Sequence, residues 1–314
     1  MAVYNLTTVT QFILIGLSDL PEVRYPLFVA FVMIYQITLL GNGVILLAIL
    51  TERKLQTPMY YLLTNLSLLD IFCPSATVPK MLKNLLAEDH RISYVGCALQ
   101  LYFLVALAGT EVFLLAVMAY DRYVAICFPL RYSLIITKVR CVQLLFGTWA
   151  AGFLNSFVHT MSTFSLSFCK SNRVNQYYCD IPPVVALSCS STYVAEMRVL
   201  VVGGIFGVGA FLITLISYIY IVSTILKIRS AEGKRKAFST CASHLLVVLF
   251  YGTTIFTYIR PTSSQHSPGR DRLISMLYAV ITPMLNPIIY TLRNTEVKGA
   301  LRKVLHLRIC SQKG

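Results

Sequence analysis

Seven apolar stretches constrain this 314-residue chain more than anything else in it. They lie near residues 25–50, 58–82, 96–127, 140–163, 195–226, 237–260 and 271–291. Each is long enough to cross about 30 Å of hydrocarbon, which takes roughly 20 helical residues. With 56% hydrophobic and 13% charged residues, the chain is far from a soluble domain, where about 25% are charged. The reading is an all-α membrane protein, a seven-transmembrane-helix bundle. A tail over 1–24 precedes the bundle at 25–291, and a tail over 292–314 follows it. Within that second tail, residues 294–308 read as a short amphipathic basic helix lying on the inner leaflet.

The net charge of +14 would suit a nucleic-acid partner, but its placement argues against one. Arg53 and Lys54 follow the first stretch, so that stretch is expected to exit on the cytoplasmic side. Seven crossings then leave Arg131, Lys138, Arg140, Lys227, Lys234, Arg293, Lys298 and Arg302 inside. Asp19, Glu22, Glu88, Asp89, Asp180, Glu196 and Asp271 fall outside. This is the positive-inside bias, which orients helices in a membrane and needs no anionic partner. Gly233-Lys234-Arg235-Lys236 is read as loop charge, not as a nuclear signal. The first tail lacks a basic leader and a long apolar core, so no cleaved signal peptide is expected. Asn5-Leu6-Thr7 there matches a glycosylation acceptor; Asn65-Leu66-Ser67 matches too but sits in mid-membrane.

Charges within spanning segments are costly, and two acids stand out: Asp70 in the second stretch and Glu111 in the third. At 1.5 Å per residue from the expected inner ends, both lie roughly 15–18 Å deep. Asn42 and Asn286 lie close to that level. Two protonated carboxyls held by neighbours, or a cation such as sodium held by oxygen ligands, both fit this placement. Four of the nine cysteines, Cys97, Cys169, Cys179 and Cys189, fall outside, where disulfides form, and spacing alone allows three pairings. Cys73, Cys127, Cys141 and Cys241 lie in or beside helices and read as small core residues. Cys310 reads equally as a palmitoylation acceptor or as an idle cysteine. His244 with Cys241 supplies two ligands, which do not make a metal site.

The motifs at the helix ends are more particular. Met118-Ala119-Tyr120-Asp121-Arg122-Tyr123-Val124-Ala125-Ile126-Cys127 closes the third stretch with an acid and a base side by side. Leu55-Gln56-Thr57-Pro58-Met59-Tyr60-Tyr61 opens the second, and Lys236-Ala237-Phe238-Ser239-Thr240-Cys241-Ala242-Ser243-His244 opens the sixth. Ser217-Tyr218 closes the fifth, and Pro283-Met284-Leu285-Asn286-Pro287-Ile288-Ile289-Tyr290 lies in the seventh. Together these strings resemble the olfactory receptors of the larger, tetrapod-type class (class II), a branch of the rhodopsin-like G-protein-coupled receptors. The resemblance covers essentially the whole chain. It implies disulfides Cys97–Cys179 and Cys169–Cys189, and a sodium pocket around Asp70 with Glu111. It also implies an activation switch of Asp121, Arg122, Tyr218, Asn286, Pro287 and Tyr290. Gln176 stands where the family usually has histidine, and Tyr251 stands where most rhodopsin-like receptors have tryptophan.

A ligand site is expected where inward faces converge between the outer helix halves. Helical spacing puts Leu101, Leu104, Val105 and Ala108 on the inward face of the third stretch above Glu111. It adds Val202, Gly203 and Phe206 from the fifth, Tyr251, Thr254, Ile255 and Tyr258 from the sixth, and Met276 and Ala279 from the seventh. Gly203, Gly204 and Gly207 read as room for a ligand or close packing in preference to a dimer face. The set carries no charge, so the expected ligand is small, neutral and largely apolar, oriented by tyrosine and threonine hydroxyls. The resemblance implies a volatile odorant as ligand and an olfactory stimulatory G protein raising cyclic AMP, at the plasma membrane with the N-terminus outside. No nucleophile–base pair or metal set points to an enzyme. The competing readings are a receptor for a non-odorant small molecule and, from another class, a channel or transporter. The latter predicts internal repeats, and none is evident.

Overall fold

The computed structural model of the chain describes residues 9–17, 21–87, 89–169, 171–228, 230–234, 268–293 and 297–300. Five long helices match the first five apolar stretches: Pro21–Thr51, Pro58–Leu86, Tyr94–Cys127, Lys138–Phe164 and Tyr193–Lys227. All five are long and apolar enough to cross a membrane. The seventh stretch is helical from Pro268 to Arg293, with a wider π-type turn over Leu277–Ile281. The sixth stretch, with Tyr251, Thr254, Ile255 and Tyr258, lies outside the described residues, as do Asn5 and Cys310. Of the expected amphipathic helix, residues 297–300 are described and helical, with Val297 and Ala300 buried.

The helices begin and end where local chemistry directs. Pro58 sits at the first position of the second helix, where its missing N–H costs nothing. The Ser93 side chain accepts from Gly96 N at the start of the third, and Thr137 accepts from Arg140 N at the start of the fourth. The third helix is central and packs on the second, fourth and fifth. Its crossing with the fourth is close because of Gly152. A Cβ at Gly152 would meet Ala106 O and Thr110 N at 2.7 Å and would collide with Thr110 Oγ1. The backbone of Gly109 lies against the same point.

The bundle also carries a small sheet that the helical periodicity did not show. Strand β1 (Gln11–Leu14) is its middle strand, antiparallel to β2 (Arg91–Ser93) and parallel to β3 (Arg173–Val174). Alternate residues of β1, Phe12 and Leu14, are fully buried, as the period of a strand requires. The Phe12 ring packs with Tyr94, Phe164 and Phe168. The apolar patch in the first tail is therefore part of the fold.

Replacing Gly152 by alanine forces backbone apart at the tightest crossing, so Gly152→Ala is expected to lose about 1–3 kcal/mol. Gly147→Ala, with nothing within 4 Å of the new atom, is expected to be neutral or better. Thermal denaturation of the two purified variants separates them.

Candidate functional site

At the sheet end, a loop is stapled over the bundle. Cys97 is bonded to Cys179 and Cys169 to Cys189, the two pairs that the resemblance implies. Gln100 extends the first staple: its side-chain oxygen accepts from Cys179 N at 3.0 Å, and its nitrogen donates to Ala76 O at 2.9 Å. Gln176 Nε2 donates to Ser275 Oγ at 3.2 Å, and Arg272 binds both Asn175 and Gly16 O. Tyr177 and Tyr178 are buried and pack edge to face. Burial, and next the Asp180 carboxylate, push the Tyr177 phenol well above its ordinary value.

Beneath this loop the described residues line a cavity of about 180 Å³ between the third, fourth and fifth helices. Leu104, Val105 and Ala108 form its wall on the third helix, and Gly203, Gly204, Phe206 and Gly207 its wall on the fifth. Phe113 and Phe206 meet edge to face across its lining. The glycines leave open what side chains would fill. Leu101, expected in this set, is fully buried elsewhere, beside Phe12, Cys97 and Cys179, because the staple covers the third helix at that height. Val202 does not reach the wall: its neighbours Gly203 and Phe206 take the inward face. Ala279 and Met276 pack into the core with the first and second helices, and Tyr278 lines the cavity instead. A π-turn widens the helix at that point and breaks the 3.6-residue count that nominated them.

The structure places three polar groups in the wall that spacing on four helices did not nominate: Asn155, His159 and Asp180. Asp180 corrects the expectation of a wall without charge. Its carboxylate accepts from Ile181 N at 2.8 Å and from Tyr178 OH at 3.3 Å, capping the short helix Ile181–Val185. No alternating or helical pattern marks it; its position right after Cys179 is the only signal the sequence offered.

Deeper, Asp70 and Glu111 are both almost completely buried. Asn286 Nδ2 donates to both carboxylate oxygens of Asp70, at 2.9 and 3.1 Å. Asn42 Nδ2 donates to Pro283 O at 3.1 Å, the carbonyl to which Pro287 has no N–H to give. Gly41 allows this approach, since a Cβ there would lie 3.3 Å from Pro287 Cβ. The side-chain oxygens of Asn42 and Asn286 are buried without partners among the described residues.

At the opposite end, Asp121 does not ion-pair with Arg122 among the described residues. It accepts instead from Tyr132 OH at 2.7 Å, while Arg122 Nη2 lies 2.7 Å from Met59 Sδ. Burial, and then the Asp121 charge, push the Tyr132 phenol up, so it remains a donor at physiological pH. Tyr218 is buried near Ala119 at the same end, with Ile221 and Ile225. The Tyr290 side chain lies outside the described set.

Seven apolar stretches, a stapled loop over a cavity and an Asp-Arg pair at the far end match one family. A family model described as "Olfactory receptor" matches residues 31–308. The chain belongs to the olfactory receptor family. It is 51% identical over 302 residues to human olfactory receptor 5B12, covering 96% of each chain. It is 49% identical over 303 residues to mouse olfactory receptor 5AP2, covering 96% of this chain and 95% of that one. With gorilla olfactory receptor 1G1 the identity is 49% over 305 residues, covering 97% of both. The protein is therefore a G-protein-coupled receptor and not an enzyme. Its seven-helix fold follows from the family.

Tyr132→Phe removes the described donor to a buried carboxylate, and a loss of about 1.5–3 kcal/mol is expected. The double variant Tyr132→Phe/Asp121→Asn should lose less than the sum of the two single changes. Denaturation midpoints of the four purified proteins measure that coupling.

Proposed function

We propose that this receptor binds a small, neutral, largely apolar odorant in the cavity between its third, fourth and fifth helices. Binding shifts the bundle toward a form open at the Arg122 end and activates a stimulatory heterotrimeric G protein that raises cyclic AMP. The cavity under the stapled loop carries this reading: apolar walls from the third and fifth helices meet there, at the opposite end of the bundle from Arg122. A ligand biases such an equilibrium only by binding the open form better. The N-terminus and the disulfide-bonded loop then lie outside the plasma membrane, and Arg53, Lys54 and Arg131 lie inside. Asn5 is the glycosylation acceptor of the outer tail. In the switch, Arg122 and Tyr218 form the inner contacts, and the bend permitted by Pro287 is the moving part, with Asn286 and Tyr290 beside it.

The odorant response is tested in cells with a cyclic AMP readout. Wild type is expected to respond to at least one apolar odorant. Gly203→Leu, which fills the cavity beside His159, should abolish that response with surface expression intact. Arg122→Ala should abolish it with odorant binding retained. A full response in Gly203→Leu would remove the ligand from this cavity. Antibody access to tags at each terminus, in intact and permeabilised cells, tests the orientation.

A sodium ion fits the residues around Asp70. The donors are all oxygens: the carboxylates of Asp70 and Glu111, and the partnerless oxygens of Asn42 and Asn286. A sodium ion held there would offset one carboxylate charge, with the other acid protonated, and tie the first, second, third and seventh helices together in the inactive form. The purified receptor should denature several degrees higher in sodium chloride than in choline chloride of equal ionic strength, and Asp70→Asn should erase the difference. Equal midpoints for wild type in the two salts would reject the site.

A further inference from the structure

We infer that the cavity selects ligands that carry a hydroxyl group, read by Asn155 and His159 of the fourth helix. The inference rests on the reading of this cavity as the odorant site and names the ligand's chemistry within it. Asn155 and His159 are four residues apart and so project from one face of the helix toward the same cavity. Both are more than nine-tenths buried. Asn155 Oδ1 and His159 Nδ1 have no hydrogen-bond partner among the described residues, although each is removed from solvent.

Partnerless buried polar atoms are rare in folded proteins, and a pair on one cavity wall marks a place where something polar arrives. The chemistry of the pair narrows that group. An asparagine oxygen only accepts, so the ligand must bring a donor. A neutral imidazole donates through one nitrogen and accepts through the other. A hydroxyl satisfies both, donating to Asn155 Oδ1 and accepting from the imidazole N–H. A ketone, aldehyde or ether offers no donor and leaves the asparagine oxygen stranded.

Asp180 sharpens the choice by exclusion. Its carboxylate lies in the same wall and is held by Ile181 N and Tyr178 OH. A carboxylate ligand would set like charges together in a site shielded from water. Alkyl carbons meet Leu104, Ala108 and Phe206 on the facing helices. The ligand that fits is an uncharged alcohol or phenol with an apolar body.

The test is a matched panel on surface-expressed receptor with a cyclic AMP readout. It contains straight-chain, branched and aromatic alcohols, each with its ketone or aldehyde, methyl ether and carboxylic acid of the same carbon skeleton. Wild type should respond to at least one alcohol at concentrations at least tenfold below its ether and acid partners. Asn155→Leu and His159→Phe should each weaken that alcohol by tenfold or more. The response to the ether should change less than threefold. Wild type responding to ethers or ketones as well as to alcohols, responding to no alcohol, or both variants weakening all classes equally would overturn the inference. Loss of alcohol selectivity in Asn155→Leu together with abolition of every response in Gly203→Leu leaves the cavity as the site. An alcohol response that survives Gly203→Leu instead removes the cavity reading itself.

Discussion

A membrane interior offers no water to a stranded polar group, and this fold is organised around meeting that demand from within. Pro287 shows how. A proline in a spanning helix frees the carbonyl one turn back, here Pro283 O, and Asn42 on the first helix donates to it. The two helices come close enough because residue 41 is glycine, with Pro287 at its surface. One residue earlier in the seventh helix, Asn286 donates to both oxygens of Asp70 on the second helix. Three helices are thus pinned at mid-depth by two asparagines. A proline or an acid at these positions without its asparagine would leave an unmet group costing about 1–3 kcal/mol or more.

The sheet end is held by different means. Strand β1 reaches the chain's own loop on one side and the approach to the third helix on the other, so it joins segments far apart in sequence. The loop is then bonded to the third helix through Cys97–Cys179 and hydrogen-bonded to the seventh through Gln176 and Ser275. Gln176 fills a position where the resembled family usually has histidine, and it does so with an amide that bonds a serine. The roof of the cavity is therefore fixed by a sheet, a disulfide and buried tyrosines at once. A roof of this kind holds the cavity's shape.

Much of this was legible in the sequence because lipid simplifies the code. Apolar runs of spanning length mark the described helices to within a few residues, and counting 1.5 Å per residue puts Asp70 and Glu111 at one level. The wall residues Leu104, Val105, Ala108, Gly203 and Phe206 came from the 3.6-residue repeat in unbroken helices. That repeat misled where the backbone leaves it, at the π-turn over Leu277–Ile281, which brings Tyr278 to the cavity. It also misled at Leu101, where a covalent staple outranks helical phase. The strand at Gln11–Leu14 leaves no periodic signal because four residues carry too little alternation, and its partners lie about 80 and 160 residues further along the chain. Asn155 and His159 sit on a helix whose inward face was not assigned. Two polar residues one turn apart in a spanning segment were the available signal.

The third helix shows how the two ends divide the work. At the sheet end it is fixed by a side-chain cap, a disulfide and the bridging amide of Gln100. At the other end its acid and base are held unequally. Asp121 has a short hydrogen bond from a phenol, whereas the described contact of Arg122 is to the thioether of Met59. A sulfur is a weak acceptor compared with a carboxylate, so little is lost when the guanidinium leaves it. The third helix is thus tied covalently at one end, while at the other Arg122 has only a weak acceptor to leave. On the proposed function, a ligand settling beneath the stapled loop would shift the bundle at the end where Arg122 is held only by a thioether.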